Sequence, residues 1–535
     1  MMSLGELQAA YRACFSAENG DRAGRLAAQD YLNNSTAIYH GDVIGLGFIP
    51  KLYDQPALEY FDALASTTYR ILEKVTRRFL EDGAYRALFG FSPTLERLIC
   101  LPTGYATTIP IMRADLFLNE DDLDFSFCEF NTDGTSAMNE DREGANALMR
   151  SATFARAAQE LGLEAQELFE GWVEGFFELY RSSEGAVERP TIAIVDYRAS
   201  ATPYEFEEFR ARFERRGLRC LICDLSQLVY RDEALYGSDV NPAHPAFGRL
   251  TRIDALYRRA VTGEIVAELE ADTGVGAASV EAAAGLNIGA IGAKAPGLRD
   301  EAAAAATADT GAHALVRAVE QRRVCMIGGF CTHVAHCKQL FTVLHLPETT
   351  AFLTEEETAF IRRHVPYTTR LSNRHIDLNA LKTDKDRWII KPEDGYGSKG
   401  VYAGVDQSQE DWNALIDECA ERHYVVQSFC EQYATPNTRL TPLDERGKQR
   451  FATLDEWKRA EGPNAGGLGL ESWNNLTGLY LYNGRFSGLF VRAGQTGIIA
   501  GFAGGITVPS FLAGYDSQAG LALRTAGSGI FGVAQ

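Results

Sequence analysis

Charged and amide side chains alternate with apolar ones along one short stretch of the chain, RADLFLNEDDLDFSFCEFN. The alternation predicts a β-hairpin with Arg113 and Asp115 on one face of the first strand, and with Phe127, Glu129 and Asn131 on one face of the second. A turn within the polar segment NEDD would place Asp115 opposite Glu129 and Arg113 opposite Asn131. Both acidic side chains would then share one face.

Two carboxylates that face each other across a β-ladder are destabilising by up to ~1 kcal/mol unless a cation lies between them. A positive group is therefore expected between Asp115 and Glu129, and on this argument removing either charge should not lower the stability of the ligand-free protein. Two carboxylates and an amide, completed by water and phosphate oxygens, are ligands that Mg²⁺ accepts when it carries a nucleotide. The pattern predicts a metal site at Asp115, Glu129 and Asn131, with Arg113 beside it. For this segment alone, an ordinary surface hairpin with scattered acids is an equal alternative.

A glycine-rich segment, WIIKPEDGYGSKGVYAGV, contains a GxGxxG pattern at Gly395, Gly397 and Gly400. The pattern alone is weak evidence, and a dinucleotide-binding fold needs a helix after the glycines, whereas a second strand, VYAGV, follows here. The sequence therefore predicts a hairpin tip that could lay backbone N–H groups over a triphosphate, with Lys391 pointing into the same cleft. The Walker pattern and the kinase catalytic-loop and DFG signatures are absent from the sequence.

Length and charge narrow the classes of function. The 535 residues suffice for a large buried core and for about three domains. A net charge of −20 argues against nucleic acid or an anionic membrane as the main partner. No apolar run approaches the ~18 residues of a membrane span, and the N-terminal residues do not resemble a secretory signal, so we expect a cytoplasmic protein. The ten cysteines show no regular pairing and fit reduced thiols.

The hydrophobic pattern predicts an α/β protein. Residues 3–31 and 55–82 are typical of amphipathic helices, and residues 139–182 of a long helical stretch with a break at Gly162. From Arg189 the sequence changes to TIAIVDY, EFEEFRARFERRG and LRCLICDL, which predicts a βαβ unit with buried strands.

The same changes of pattern divide the chain into three regions. Residues 1–188 would be a helical N-terminal region with the hairpin, residues 189–345 a smaller α/β domain, and residues 346–535 a nucleotide-binding region ending in antiparallel strands. Residues 266–318 are rich in alanine and glycine and read as a poorly packed insertion. Residues 436–473 are polar and glycine-bearing, which is typical of a long excursion or lid.

Two cysteine-containing motifs suggest a metal without matching a zinc pattern. Cys220 and Cys223 form a CxxC inside a predicted buried strand, where thiols of the core are the favoured interpretation. The second motif, CTHVAHC, contains Cys331, His333, His336 and Cys337. Its spacing fits a helix N-terminal region better than a zinc site, so whether it binds anything stays open.

Taken together, these segments resemble a known family, glutathionylspermidine synthase and its relatives, the circularly permuted ATP-grasp ligases. The resemblance rests on RADLFL…CEFNTDGTSA, HCKQLF, IIKPEDGYGSKGV, YVVQSFCE and GLFVRAG…TVPSF, which run in the family's order from about residue 100 onwards. The pattern R-x-D…E-x-N with a following serine is its most specific part.

The resemblance implies a circularly permuted ATP-grasp fold with an additional smaller, pre-ATP-grasp-like α/β domain. It implies an ATP-dependent ligase that joins a carboxylate to an amine through an acyl phosphate, using ATP and two Mg²⁺ ions. The metal ligands would be Asp115, Glu129 and Asn131. The catalytic residues would be Arg113, which binds the transferring phosphoryl group, and Ser136, a hydroxyl donor near the reacting carboxylate. The ATP-binding residues would be Lys338, Lys391, Gly395, Gly397, Ser398, Gly400, Gln427 and Arg492.

The sequence also departs from the family pattern. Cys337 stands where the family commonly has asparagine, Gly134 where a serine can stand, and residues 1–100 show no amidase domain. The expected partners are a small-molecule carboxylate and an amine, with no nucleic acid and no membrane, and a homodimer is left open. The alternatives are a catalytically degenerate ATP-binding protein and a phosphotransferase that releases a stable product.

Overall fold

The protein is a mixed α/β structure, as predicted, and is described from a computed structural model. The described residues are 2–39, 41–273, 309–395, 397–443, 448–450, 453–461 and 468–514. Within these ranges no helix combines the length and the apolar character that crossing a membrane requires.

A six-stranded antiparallel sheet carries the predicted hairpin at one edge. Its strands, in spatial order, are Ile506–Val508, Arg485–Gly494, Glu471–Tyr482, Ile111–Leu118 and Phe125–Asn131, with Ala434–Asn437 paired separately to Glu471–Tyr482. The antiparallel strands predicted near the end of the chain are therefore confirmed, and they are the direct neighbours of the hairpin.

The predicted hairpin register is confirmed, but the prediction that Phe127 and Glu129 lie on the same face of the strand is wrong. Asp115 lies opposite Glu129 and Arg113 opposite Asn131. The register then shifts between Asp115 and Leu116, which pairs with Phe127, so Cys128 is an extra residue in the second strand. Because such a bulge reverses the alternation, Phe127 packs into the core instead of sharing a face with Glu129.

A four-stranded parallel sheet confirms the predicted βαβ unit. Strands Thr191–Asp196 and Arg219–Asp224 are parallel neighbours joined by helix Pro203–Arg215. Ala255–Arg258 and Cys325–Ile327 complete the sheet on the other side. Cys220 and Cys223 lie buried within the second of these strands, as expected of core thiols.

A smaller antiparallel sheet carries the glycine-rich segment. Its strands are Thr368–Arg370, Tyr424–Ser428, Trp388–Pro392 and Tyr402–Ala403, in that order. Ile389 pairs with Ala403 and Ile390 with Tyr402 in antiparallel register, so the glycines occupy a hairpin tip, as predicted. We call residues 393–401 the glycine loop; Tyr396 lies outside the described residues.

The helical predictions hold, with additional breaks. The N-terminal pattern divides into Leu4–Ala17 and Arg22–Asn33, and the next helix is Gln55–Glu81. The stretch predicted over 139–182 forms three helices, Met138–Leu148, Ala152–Leu161 and Phe169–Ser182. The second ends at Gly162, whose φ of +62° is the left-handed conformation that ends helices at glycine.

The predicted alanine-rich insertion is only partly described. Residues 274–308 lie outside the described residues, whereas its ends are helices Thr262–Thr273 and Gly311–Glu320. The second helix buries Ala312 and Leu315 in the core of the parallel sheet, so this end of the segment is well packed. Within the predicted excursion at 436–473, residues 444–447, 451–452 and 462–467 lie outside the described residues. The rest includes the ends of the two flanking strands and helix Leu454–Glu461.

Shorter elements connect these parts. The remaining helices are Gly83–Arg86, Pro93–Ile99, His333–His336, Gln339–Leu344, Pro347–Thr350, Glu355–His364, Leu378–Thr383, Gln409–Cys419 and Leu454–Glu461. The remaining strands are Ile38–Tyr39, Asp42–Val43, Lys51–Tyr53, Glu164–Ala165, Val229–Arg231, Ala234–Gly237, Thr251–Ile253, Asp309–Thr310 and Ser510–Leu512.

Candidate functional site

A cleft of about 720 Å³ lies between the six-stranded sheet and the sheet that carries the glycine loop. Its apolar walls include Phe117, Ile389, Val401, Phe429, Leu476 and Ile499. Seven of the residues predicted from sequence also line it, namely Glu129, Lys338, Lys391, Gly395, Ser398, Gln427 and Arg492. The 720 Å³ includes space that is open to solvent, so the lining and not the size characterises the cleft. A mixture of apolar walls with a few charged groups is typical of small-molecule sites.

Asp115 is the centre of a buried network of charges at the base of this cleft. The Arg113 guanidinium donates to its two carboxylate oxygens at 2.6 and 3.0 Å. Arg492 donates to Oδ2 at 2.7 Å and the Asn131 amide to the same oxygen at 3.1 Å. The cation expected between the two facing carboxylates is thus supplied by the protein itself, because arginines neutralise Asp115.

This pairing overturns the expectation about stability. Asp115 is 1% exposed and Arg113 is 6% exposed, so each is the main neutralising partner of a buried charge. Removing one partner of a buried ion pair is strongly destabilising because the other charge remains without compensation. Loss of the Asp115 charge should therefore lower the stability of the ligand-free protein rather than relieve repulsion.

Glu129 differs from Asp115 because it faces the cleft and has fewer direct partners. The Asn131 amide donates to Oε1 at 3.3 Å. Burial opposes ionisation of the carboxyl group, but the surrounding cations, Lys338, Arg492, Lys391 and Arg113, lower its pKa to about 2. Glu129 is consequently an anion at neutral pH within a predominantly positive environment.

Lys391 is oriented by neighbouring groups at the floor of the cleft. Its ammonium group donates to the Gln427 side-chain oxygen at 2.7 Å and to the Cys128 carbonyl at 3.1 Å. Gln427 in turn donates to the Thr368 hydroxyl at 2.9 Å and is 4% exposed. The Gln427 side chain therefore positions a lysine, and Gln427 lines the cleft together with the following residues Ser428 and Phe429.

Lys338 joins the base of the glycine loop to the rest of the site. Its ammonium group donates to the Gly395 carbonyl at 2.8 Å, and its backbone amide donates to the Glu393 carbonyl at 2.9 Å. Three glycines of the loop, Gly395, Gly397 and Gly400, have φ of +136°, +65° and +69°. Residues with a side chain adopt such values only at a cost, so the loop requires glycine for its backbone path.

Arg113 and Ser136 lie deeper than the cleft wall. Arg113 reaches the cleft through Asp115, which also binds the cleft-lining Arg492. The other end of its guanidinium donates to the Ser136 carbonyl at 2.7 Å, and the Tyr480 hydroxyl donates to the same carbonyl at 2.6 Å. The structure thus brings both predicted catalytic residues together, with the backbone of Ser136 rather than its hydroxyl making the contact.

Gly478 is a site residue that the sequence analysis missed. It pairs with Asp115 in the neighbouring strand. A Cβ atom at this position would lie 2.7 Å from Arg113 Cδ and 2.8 Å from Asp115 Oδ1. The Arg113–Asp115 pair therefore occupies space that only glycine leaves free, and a lone glycine within a strand pattern was the available signal.

The predicted metal ligands can be tested against this geometry. Glu129 offers an ionised carboxylate beside the cleft, and Asn131 lies between both acids, where a half-turn of its amide would present Oδ1. If Arg492 moved to a bound phosphate, Oδ2 of Asp115 would lose one of its three donors, while Arg113 would still contact both carboxylate oxygens. Two carboxylates and an amide fit a Mg²⁺ ion that takes its other ligands from substrate phosphates and water.

The histidine and cysteine motif has a different environment. Within the described residues, no group of three or more His, Cys, Asp or Glu side chains is arranged to hold a metal ion. Cys331, His333, His336 and Cys337 are all buried beside the cleft. His333 lies between two aspartates, Asp133 at 3.4 Å and Asp394 at 3.8 Å.

Comparisons with known proteins give one short sequence match. No family model matches the chain. The ATP-grasp enzyme ankG of Aspergillus thermomutatus is 30% identical over 91 residues, which are 15% of this chain and 19% of that protein. The match thus spans about a fifth of the relative's length, and it relates part of this chain to an ATP-grasp enzyme.

A solved structure shows a similarity of the whole chain at low identity. The glutathione synthetase-like effector GSS30 of Globodera pallida, in its apo form, is matched over 92% of this chain and 96% of that chain. The TM-score is 0.45 and the sequence identity 12%. A TM-score of 0.45 is too low for the two structures to be equated.

Proposed function

We propose that this protein is an ATP-dependent ligase of the circularly permuted ATP-grasp type, which joins a carboxylate to an amine through an acyl phosphate. The observation that carries the proposal is that Glu129, Lys338, Lys391 and Arg492 line one cleft beneath a glycine loop. The buried Asp115 faces Glu129 across the hairpin and binds Arg492. The 30% identity with an ATP-grasp enzyme supports the proposal over a short segment. The order of the segments along the chain, with the carboxylate hairpin before the glycine loop, supports the permuted arrangement.

ATP would bind with its base between the apolar walls and its phosphates towards the charged floor. Phe429, Ile389 and Leu476 offer apolar surface for the base. Lys391 and Lys338 would then exchange their present carbonyl and amide partners for phosphate oxygens. Such charge-assisted hydrogen bonds are about twice as strong as neutral ones, which favours the exchange.

Mg²⁺ bound at Glu129, Asn131 and Asp115 would neutralise phosphate charge during transfer. The protein groups hold the reacting atoms in line and stabilise the charge that develops between them. A carboxylate oxygen of the acid attacks the γ-phosphorus, the bond to the bridging oxygen breaks, and ADP leaves. Arg113 is assigned to the phosphoryl group in transit, a role in which its guanidinium exchanges the two Asp115 oxygens that it now contacts for two oxygens of the phosphoryl group.

Amide formation completes the reaction. The neutral amine nitrogen attacks the acyl carbon, the C–O bond to phosphate breaks, and the nitrogen loses one proton to the departing phosphate or to solvent. This step requires no covalent enzyme intermediate. The Ser136 hydroxyl is assigned to hydrogen bonding with the reacting carboxylate.

Hydroxylamine trapping tests the proposal. The full chain is incubated with ATP, Mg²⁺ and hydroxylamine in the presence of small acids, including glutathione and other peptides with a free C-terminal carboxylate. We expect an acid-dependent hydroxamate with stoichiometric ADP, and no hydroxamate from the Glu129→Gln variant. A stable phosphorylated product without hydroxamate would identify a phosphotransferase. ATP binding without acid-dependent ADP release across the panel would identify a degenerate ATP-binding protein.

The amide itself is the second readout. Once an acid gives hydroxamate, hydroxylamine is replaced by a panel of amines that includes spermidine and ammonia, and the products are identified by mass spectrometry. A ligase yields an amide with release of inorganic phosphate. Hydrolysis of the acyl phosphate as the sole outcome with every amine would contradict the second half of the reaction.

A further inference from the structure

His333 lies between the end of the carboxylate hairpin and the base of the glycine loop. It begins helix His333–His336, five residues before Lys338, and it is 1% exposed. Nδ1 lies 3.4 Å from Asp133 Oδ2, just beyond the hairpin, and Nε2 lies 3.8 Å from Asp394 Oδ2 in the glycine loop. One buried imidazole therefore faces both parts of the site.

The Asp133 side of the His333 ring is rigid. Arg258 contacts Asp133 Oδ1 at 2.6 Å, and the Thr262 amide donates to Oδ2 at 2.7 Å. Arg258 is itself held by the Gly328 carbonyl at 2.6 Å and the Ala260 carbonyl at 2.6 Å. The orientation of the His333 ring is consequently fixed from the side of the parallel sheet.

The Asp394 side is less constrained. Its side chain is 44% exposed, and Oδ1 accepts a hydrogen bond from the Gly395 amide at 2.8 Å. Gly263 leaves room for it, because a Cβ atom at residue 263 would lie 3.0 Å from Asp394 Oδ2. Asp394 is thus the more exposed of the two aspartates, at the base of the loop that would cover the phosphates.

The ring nitrogen that faces Asp394 is incompletely satisfied. His333 Nε2 is buried and has no hydrogen-bond partner among the described residues. A buried donor without a partner costs about 1–3 kcal/mol, and 3.8 Å exceeds the 2.7–3.2 Å of a hydrogen bond. A movement of the loop base by about 1 Å towards His333 would complete this bond.

Asp394 poses an electrostatic problem that His333 can solve. A carboxylate beside a triphosphate repels it unless a cation offsets the charge. Burial opposes the imidazolium, but Asp394 and Asp133 raise the pKa of His333 above its usual value. The other charged or titratable groups that interact with His333 are Arg258, which opposes its ionisation, and His336, whose own pKa is lowered by burial and by Lys338.

We propose that His333 is a positioning residue for nucleotide binding, which holds the base of the glycine loop through Asp394 and offsets the charge of that carboxylate beside the phosphates. The inference rests on the proposed nucleotide site, and it assigns to the CTHVAHC motif a role that needs no metal. It predicts that His333 acts through Asp394 and not through the fold in general.

A double-mutant cycle tests the proposal. Binding of a non-hydrolysable ATP analogue with Mg²⁺ is measured by calorimetry on the full chain for the wild type, His333→Gln, Asp394→Asn and the double variant. We expect His333→Gln to weaken binding by about tenfold in the wild-type background and by less than about threefold in the Asp394→Asn background. Any damage that the glutamine does to the fold is common to both backgrounds and cancels.

The pH dependence gives a readout that a structural role would not move. A raised His333 pKa means that its charge is present at low pH and is lost as the pH rises through the folded-state value. Analogue affinity of the wild type should fall as the pH rises above the ordinary histidine pKa of about 6.5, and His333→Gln should remove that fall. His345→Gln, a half-buried histidine that contacts the Val365 carbonyl, is the matched control and should behave as the wild type.

The outcomes separate this inference from the proposed function. A wild type that binds no ATP analogue would overturn the proposed function and this inference with it. A wild type that binds, with His333→Gln unchanged or with equal losses in both backgrounds, would overturn only the role of His333.

Discussion

The carboxylate hairpin and the glycine loop meet at one cleft but are stabilised differently: the hairpin by buried ion pairs, and the loop by glycine backbone conformations. The hairpin is embedded beside strand Glu471–Tyr482, and Asp115 within it is 1% exposed and bound by two arginines. The loop joins a strand to the two-residue edge strand Tyr402–Ala403 and relies on glycines with positive φ. In the hairpin, Asp115 and the two arginines hold one another in position before any ligand binds. The loop instead contributes backbone groups, on a path that requires glycine.

This difference predicts different consequences of substitution. A change in the hairpin should lower activity and, where it breaks a buried ion pair, also stability. A change in the loop should weaken nucleotide binding while leaving the fold intact, because few buried contacts depend on it. The four substitutions below test that division, from the largest expected effect to the smallest.

Glu129→Gln should lower turnover by at least about 1,000-fold, because it removes the cleft-facing carboxylate from the proposed metal site. The measurement is acid-dependent ADP release at saturating ATP and Mg²⁺. Glu418→Gln, which removes an exposed carboxylate of a surface pair, is the control and should retain wild-type turnover. Wild-type turnover in Glu129→Gln would contradict the assignment of Glu129 as a metal ligand.

Asp115→Asn should abolish turnover and also lower the free energy of unfolding by about 3 kcal/mol, because Arg113 would remain buried without a neutralising charge. Urea unfolding of the ligand-free protein measures the second effect. Unchanged stability would favour the simpler idea that two facing carboxylates repel each other. Gly478→Ala, which pushes against both members of the pair without altering a charge, should lower stability in the same direction.

Arg113→Lys should lower kcat by ~100-fold with little change in the KM for ATP, since the charge is kept but the two-pronged donor is lost. Steady-state ADP release at varied ATP separates the two constants. A severalfold higher KM with unchanged kcat would instead make Arg113 a residue that binds ATP in its ground state.

Gly397→Val should weaken ATP binding by about tenfold, since a branched residue resists a φ of +65° and obstructs the approach of phosphate. The strain alone should lower the free energy of unfolding by about 1–2 kcal/mol. Gly248→Val is a matched control for the strain, because Gly248 has a φ of +68° and, like Gly397, has no atom within 4 Å of an added Cβ, but it lies outside the glycine loop. It should lower stability equally and leave ATP affinity unchanged. Equal ATP affinity of Gly397→Val and wild type, measured by calorimetry, would mean that the loop is only a tight turn.

Several features of the site could be predicted from the sequence because they depend on neighbouring residues. Side-chain alternation and a short polar turn determined the register that places Asp115 opposite Glu129. The strand that follows the glycines determined that the loop is a hairpin tip. Gly162 determined where a helix ends, since its conformation is a local property.

The bulge at Cys128 marks where local reasoning fails. Periodicity alone assumed one continuous alternation, whereas packing of Phe127 and Phe130 into the core required an extra residue in the strand. No feature of the hairpin sequence predicts that Cys128 is an extra residue in the strand. The competition between core burial and strand alternation is settled only when the rest of the core is present.

What the sequence determined by itself is therefore the local geometry of two hairpins and the residue types that face a common cleft. Only the tertiary structure decided how those charges are neutralised, because the partners are distant in the chain. Arg492 reaches Asp115 across 377 residues, and Gly478 leaves the space that the Arg113–Asp115 pair occupies. Electrostatic compensation and close packing depend on distance in space, which pattern and propensity do not encode.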